Sequence, residues 1–469
     1  QSTDFSNSLN NYSFDLYQEI KVEPGNIFLS PLSTYYSLLM VYEGSKNQTK
    51  QEFEKVLHIN NSHSLKDNFL NHFGNNQDSS SVLNVSNAIW LEQGLQVKSG
   101  FKKRVTNRYF SDLKQTKFEN TLSAISDTNK WISEKTEGKI TEIIDGSNIS
   151  SNTKLLISNA VYFKGEWLNK FENKKTKTGR FYTSAENQYR VDFMKKTEHL
   201  QYFENEEFQF VSKPYKASGI SFCIILPKKI FGTKAIEKKM NSDFFKEILD
   251  STYRTRTALS IPKFKLESRY ELSRALINTG LKTAFSAKAD FSGITKEVPL
   301  MLSQVIHKTW IEIDEDKTEA AAATAISIMI TGTKPAPHKI FTADHPFIFF
   351  IIDNSTGAIV FIGRYVEPIS GDKILEDEES LRHNLKEREK QPTAVESSDK
   401  LYVIIDGKIS TQAELTKIPP DNIESIKIFK NKKQISQYTN GNYDGVIVIT
   451  LKNKQKKMNK KATKIEKKR

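Results

Sequence analysis

An α+β fold is the expectation, as one large domain with a smaller unit behind it. Helical periodicities crowd the first 133 residues, and strand patterns dominate from about 154 to 362, without a repeating strand–helix–strand order. The chain has 469 residues, too many for one ordinary domain, and 37% of them are hydrophobic, enough for a sizeable core. A charged, aromatic-poor stretch from 371 then divides it.

Phe5, Leu9, Tyr12, Leu16 and Ile20 recur at helical spacing until Pro24 and Gly25. Ile27–Leu29 reads as a short strand. Ser30 before Pro31 pairs a capping hydroxyl with a first-turn proline, opening a buried helix to Tyr42. Another helix opens at Thr49 with Phe53, Val56 and Leu57 on one face, and 61–81 reads as a helix with loose ends. Val82–Leu91 is a strand. Phe101, Val105 and Tyr109 line a basic helix over 99–110, and a helix containing Trp131 starts at Asp127.

Lys154–Phe163 is a long apolar strand, and Phe171–Met194 reads as short strands with polar turns. Phe208–Tyr215 and Gly219–Leu226 form a strand pair, with helices following over 233–251. Thr257–Leu266 is a strand broken at Pro262, and Tyr270–Thr279 is a helix closed by Gly280. Leu302–Ile313 alternates as a strand. Pro346–Ile352 and Ala358–Ile362 form a hydrophobic hairpin.

Several chemistries lack their residues. There is no Gly-x-Ser-x-Gly elbow, phosphate loop or His-Glu-x-x-His helix, and the eight histidines show no metal-ligand spacing. No enzyme activity, catalytic residue, metal or cofactor is expected. The single cysteine, Cys223, excludes an internal disulfide and lies in an apolar run that should bury it. No apolar segment reaches the length of a membrane span. The formal charge of +13 is partly carried by a lysine-rich tail, so only weak nonspecific nucleic-acid binding is expected, and no specific nucleic acid.

The run from Ile313 to His345, IDEDKTEAAAATAISIMITGTKPAPHKIFTADH, is conformationally ambiguous. Ala320–Ala323 favour helix by propensity. Yet Thr318, Ala320, Ala322, Thr324, Ile326 and Ile328 would line one face of an extended strand, with Glu319, Ala321, Ala323, Ala325 and Ser327 on the other. No proline interrupts between Pro299 and Pro335. Helix, loop and strand all stay open on these residues alone.

Six blocks in order carry a resemblance: GNIFLSPLSTYYSLLMVYEGSKNQTKQEF (25–53), VSNAIWLEQGLQV (85–97), TNKWISEKTEGKITEII (128–144), ISNAVYFKGEWLNKF (157–171), ISFCIILPK (220–228) and DHPFIFFIIDNSTGAIVFIGRYVEP (344–368). With EIDEDKTEAAAATA they resemble the serpins, the serine protease inhibitor superfamily, over about 5–368. The resemblance implies three β-sheets, about nine helices and an exposed reactive loop. It also implies a protease inhibitor acting as a suicide substrate, whose cleaved loop inserts into the main sheet while the enzyme is held as an acyl-enzyme.

Residue by residue, the resemblance places the hinge at Glu315, Lys317, Thr318, Glu319, Ala320, Ala321, Ala322, Ala323 and Thr324. Lys317 stands where glycine is usual, which predicts slower insertion. Seventeen residues counted from Glu315 by the family's spacing put the reactive bond at Thr331–Gly332, with Met329, Ile330 and Lys334 as alternative scissile residues. Ser30, Ser33, Asn159 and His307 match the polar cluster under the sheet, where strands part. Their ordinary readings are a helix cap, a strand asparagine and a surface histidine. Trp167, with Phe171, matches the apolar region where insertion begins. The implied partner is a target endopeptidase, elastase- or subtilisin-like favoured, with a papain-like cysteine protease as another option. The basic surface would steer acidic partners. A monomer is expected.

The resulting division is a serpin domain over 1–370, a charged linker over 371–398, a small βαββ module over 399–452 and a basic tail over 453–469. In the module, Tyr402, Ile405, Asp406, Gly407, Pro420, Asp421, Ile423, Glu424, Ile426, Tyr438, Gly445, Val446 and Ile449 resemble the plug-like unit of TonB-dependent receptors and related appended domains in Bacteroidetes proteins. That implies an envelope protein partner through 399–452. The start at Gln1 fits either a chain after signal removal or a trimmed one. A secreted or cell-envelope location, in a bacterium, is the expectation. The competing function is a non-inhibitory serpin, or an envelope-associated interaction protein, whose loop is only a substrate.

Overall fold

Helix α1 (Ser2–Ile20) turns Phe5, Leu9, Tyr12, Leu16 and Ile20 into the core, as their spacing requires. β1 (Ile27–Leu29) leads into α2 (Pro31–Tyr42), every residue of which is buried. The Ser30 hydroxyl accepts the Ser33 N–H and caps this helix, with Pro31 in its first turn. The other α-helices among the described residues are α3 (Asn47–Val56), α4 (Ser99–Arg108), α5 (Thr121–Lys135), α6 (Thr233–Lys239), α7 (Ser242–Asp250) and α8 (Ser273–Thr279), closed by Gly280. The computed structural model describes residues 2–59, 81–109, 111–184, 187–216, 219–315, 338–369, 372–374, 401–410, 423–429, 438–439 and 445–451. The expected helix at 61–81 falls almost wholly outside these residues, as do most of the charged linker and the basic tail.

Several boundaries differ from expectation: one strand starts at Tyr253 rather than Thr257, and a single strand spans Gln188–Glu204 where short strands ending at Met194 were expected. Helix α5 starts at Thr121 rather than Asp127, because the Asn120 side chain accepts the Ser123 N–H and caps it earlier. Tyr270 and Glu271 are not helical: they end strand β10 (Phe264–Glu271), where ladder bonds to the facing strand outweigh the helical pattern.

Five strands form the main sheet, in the order β10 (Phe264–Glu271), β11 (Gln304–Ile313), β4 (Leu155–Gly165), β2 (Ser81–Glu92) and β3 (Asp112–Thr116). One face lies on the principal core through Val305, Ile311, Ile157 and Val161. The other is covered by α5 and the segment after it, where Trp131, Ile132, Ile140 and Ile143 pack on Leu156, Ala160 and Ile306.

Ten further strands are β1, β14 (Ile359–Tyr365), β13 (Phe347–Asp353), β8 (Ile220–Pro227), β7 (Phe208–Pro214), β6 (Gln188–Glu204), β9 (Tyr253–Pro262), β12 (Lys339–Thr342), β5 (Lys177–Tyr182) and β15 (Asp372–Ile374). They read as two sheets joined through β6. Its C-terminal residues, 201–204, pair with β7, and a longer span, 193–202, pairs with β9. With the main sheet this makes three sheets in an α+β arrangement.

The chain splits into two units, 1–388 and 389–469. The second has a four-stranded sheet in the order β17 (Lys408–Ser410), β16 (Leu401–Ile405), β19 (Gly445–Leu451), β18 (Ile423–Phe429), with β16 and β19 parallel. Asp406 and Gly407, at φ 48° and 77°, form the two-residue turn from β16 to β17, both in the left-handed region that such hairpins need.

Candidate functional site

The seam of the main sheet is its central pair. β11 runs parallel to β4 in direct register, from Gln304 beside Leu156 to Ile311 beside Phe163. Their outer neighbours, β10 and β2, are antiparallel. β11 leads at its top into the ambiguous 316–337 segment, and the description resumes at His338, just before β12.

Beneath the seam lies a buried polar row. Asn87 of β2 pairs with Asn159 of β4, which pairs with His307 of β11, so three adjacent strands each place one polar side chain at one level. Ser30, Ser33, Ser37, Asn87, Asn159 and His307 are all buried. The Ser30 N–H donates to His307 Nε2 at 3.0 Å, so Nε2 is unprotonated and the proton sits on Nδ1. That Nδ1–H faces Asn159 Oδ1. The Asn159 amide donates to Ser33 and to Asn87 Oδ1, which also accepts from Ser37 at 3.0 Å. The Ser30 hydroxyl donates to the Val360 carbonyl at 2.9 Å. Burial lowers the His307 pKa from 6.5 to about 3, so the ring is neutral. Every link is uncharged, so strands could part and exchange partners without stranding an ion.

The top of the seam is anchored by ions and aromatics. Glu315 is buried, paired with Lys263 at 2.6 Å and accepting from Thr176 at 2.5 Å. Burial pushes its pKa upward, but the bonds from Lys263 and Thr176 outweigh that and leave it lowered. The Trp167 indole N–H donates to the Asp314 carbonyl at 2.8 Å. Its ring stacks on Tyr215 at 4.5 Å and meets Phe171 edge-on. The Lys213 ammonium lies 5.3 Å from the Trp167 ring and 4.6 Å from that of Phe171, and pairs with Glu198. Burial lowers the Lys213 pKa to about 8, despite Glu198. Gly165 is needed here, since a Cβ would come within 2.6 Å of the Tyr215 ring.

Ser30, Ser33, Asn159 and His307 are thus brought together, and the reading of His307 as a surface histidine is wrong, because its ring is fully buried. Trp167 and Glu315 lie at the exit of β11. Lys317, Thr318, Glu319, Ala320, Ala321, Ala322, Ala323, Thr324, Met329, Ile330, Thr331, Gly332 and Lys334 fall outside the described residues. Sequence reading missed Asn87, Ser37, Lys263 and Thr176. For Asn87 a signal existed: Ser86-Asn87-Ala88 repeats Ser158-Asn159-Ala160, and the two triplets pair across strands.

Comparison with known proteins fits this geometry. The profile of the serpin (serine protease inhibitor) family matches residues 7–368. A serpin-like protein of Thermococcus kodakarensis is 34% identical over 371 residues, covering 78% of this chain and 86% of that protein. The leukocyte elastase inhibitor of Xenopus laevis is 35% identical over 376 residues, covering 77% and 99%. Among solved structures, uncleaved ovalbumin superposes with a TM-score of 0.72 at 25% identity, covering 78% of this chain and all of that one. Native tengpin, a thermophilic serpin, gives 0.70 at 30% identity, covering 77% and 94%. Serpins are in general protease inhibitors whose partners are proteases, and this chain belongs to the serpin family.

Proposed function

We propose that the protein inhibits a serine or cysteine endopeptidase as a suicide substrate. The enzyme's nucleophile attacks the carbonyl carbon of Thr331, and the bond to the Gly332 nitrogen breaks. The enzyme's histidine supplies the leaving amine with its proton, and the acyl-enzyme remains, an ester on serine or a thioester on cysteine. The freed hinge side then enters the main sheet and carries the enzyme away before water reaches the acyl bond.

The parallel seam is the observation that carries this reading. A chain turning back from Ile313 runs antiparallel to β11, and therefore antiparallel to β4 as well. Inserting it replaces one parallel pairing by two antiparallel ones, the slightly stronger kind per residue, and adds a full strand of hydrogen bonds. The small side chains at Thr318, Ala320, Ala322 and Thr324 suit entry into a closing slot. Ile330 and Thr331 favour an elastase- or subtilisin-like enzyme, and the similarity to a leukocyte elastase inhibitor points the same way. A papain-like enzyme, which would read Ile330, is the other option.

The test is to mix the protein with chymotrypsin-, elastase-, trypsin-, subtilisin- and papain-like proteases. A heavy band surviving denaturant is expected, with a released fragment starting at Gly332. Clean cleavage without that band, and with no gain in thermal stability, would sink the reading.

Lys317 favours a second reading, in which the loop is cleaved as a plain substrate because insertion comes too late. We also place the protein in a secreted or envelope setting of a bacterium, with 399–452 as a TonB-plug-like docking unit for an envelope protein. Deleting that unit should leave protease inhibition unchanged and abolish any surface attachment.

A further inference from the structure

The sheet of the second unit ends in an open strand edge. Its order is β17, β16, β19, β18, so among the described residues β18 is paired on one side alone. The opposite edge, β17, has three residues, whereas β18 has seven. The direction of its free backbone groups follows from the neighbouring strand. The Asp406 N–H donates to the Ile449 carbonyl at 2.8 Å, which turns the Ile449 backbone toward β16. The N–H and C=O of one strand residue point the same way, and those of the next residue point the other way. Val446, Val448 and Thr450 therefore face β18, opposite Phe429, Lys427 and Ser425. Ile426 pairs with Ile449, so it turns its own N–H and C=O outward, and Ile428 does the same.

Ser425, Lys427 and Phe429 share one face of the strand. Ser425 and Lys427 are exposed, and the half-buried Phe429 stacks on Tyr438 at 5.0 Å. Lys427 has no ion pair among the described residues. Between Glu424 and Asp444 the chain holds Lys427, Lys430, Lys432 and Lys433 and no acid. A strand laid along this edge therefore meets a hydroxyl, an ammonium and an aromatic pair at two-residue spacing. A second copy pairing edge to edge about Lys427 would set two ammonium groups opposite each other, which disfavours it. A strand with an acid at that position is favoured by the same rule.

We propose that the outer edge of β18 takes up an extended, acidic segment of a protein partner by strand addition. A carboxylate stands opposite Lys427 and an aromatic side chain lies beside Phe429 and Tyr438. Backbone bonds to Ile426 and Ile428 hold the segment, and Lys427 selects its charge. This rests on the reading of 399–452 as a docking unit and names what that unit grips.

The test titrates the full chain into a fluorescein-labelled peptide, Val-Tyr-Val-Glu-Val-Thr-Val, read by anisotropy. Antiparallel addition sets its tyrosine, glutamate and threonine opposite Phe429, Lys427 and Ser425. The wild type should bind it about fivefold more tightly than the same peptide with lysine for glutamate. Lys427→Glu should reverse that preference, and Lys427→Ala should bind both peptides alike. Methylating the backbone nitrogens of the two valines that flank the glutamate should abolish binding, and the intact peptide should slow amide exchange over Ile423–Phe429. Equal binding of the methylated peptide would overturn the proposal, because charge alone would then hold it. An unreversed preference in Lys427→Glu, or no binding of the intact peptide, would overturn it too. A dimer of the free chain in sedimentation, with 423–429 shielded from exchange, would assign the edge to a second copy. Surface attachment that survives deletion of 399–452 would sink the docking-unit reading alone, since the titration on purified chain still decides the edge.

Discussion

The imidazole of His307 accepts the backbone N–H of Ser30 at Nε2, 3.0 Å away, while its Nδ1 faces Asn159. One neutral tautomer thus bridges the start of α2 and the seam of the main sheet. Its pKa falls from 6.5 in the unfolded chain to about 3 in the fold. The unfolded state holds more protons between those values, so this contribution is complete above pH 6.5 and is lost as pH falls toward 3. The loss between about pH 7 and about pH 5 is roughly 2 kcal/mol. His307→Gln does not titrate and should lose that much less on acidification, measured by urea midpoints. Equal losses in both proteins would remove the imidazole as the cause.

Asn87 is the residue on which Asn159 and Ser37 converge. Asn87→Ala leaves one of the two Asn159 amide hydrogens buried without its acceptor, while the other keeps Ser33 and the Ser37 hydroxyl keeps the Ser33 carbonyl. The expected cost is about 2 kcal/mol, read as a lower melting temperature. An unchanged melt would mean that the row rearranges freely.

Glu315 ties the exit of β11 to Lys263 and Thr176. Glu315→Gln should cost about 1 kcal/mol, because Lys263 is itself partly exposed. The carboxyl pKa is lowered in the fold, so its contribution is present above the unfolded value of 4.5 and is lost as pH falls through the folded one. Glu315→Lys places two ammonium groups together and should release the hinge, giving self-association on warming that size-exclusion chromatography detects.

Lys213 and Glu198 are a buried pair, 2% and 9% exposed. Lys213→Met alone strands the carboxylate and should cost about 3 kcal/mol, whereas Lys213→Met with Glu198→Met should cost far less. The folded amine titrates at about 8 against 10.5, so the unfolded chain holds more protons between these values and stability rises with pH there. The wild type should gain on the double variant from about pH 8 to 9.5 in thermal melts. Parallel pH curves would refute the pair's role.

On the proposed inhibitory mechanism, Lys317→Gly should reduce the number of inhibitor molecules spent per trapped enzyme, by quickening insertion. Thr318→Arg, which puts a charge on the inserting face, should turn the protein into a substrate, cleaved at an unchanged rate with no heavy band. Trapping that persists in Thr318→Arg would overturn the assigned alternation.

Local chemistry made much of the fold legible. The Ser30–Pro31 cap, the alternation of Leu302–Ile313 and the apolar hairpin 346–362 announce their elements, because each is decided by neighbours in the chain. Where tertiary pairing decides, reading fell short. Tyr270 looks helical until β11 pairs with it, and the start of α5 depends on a single capping bond from Asn120.

The sequence by itself determined the family, the helical and strand periods, and the alternation of small residues along 318–324, because these depend on residue type and spacing alone. Only the tertiary structure decided that β4 and β11 meet in parallel with nothing between them, that Asn87 completes the polar row and that His307 is neutral. These depend on residues far apart in the chain, some by more than 200 positions, whose meeting desolvates them together. Burial and pairing set the charge and partners of such groups, and neither is a property of a residue read in isolation.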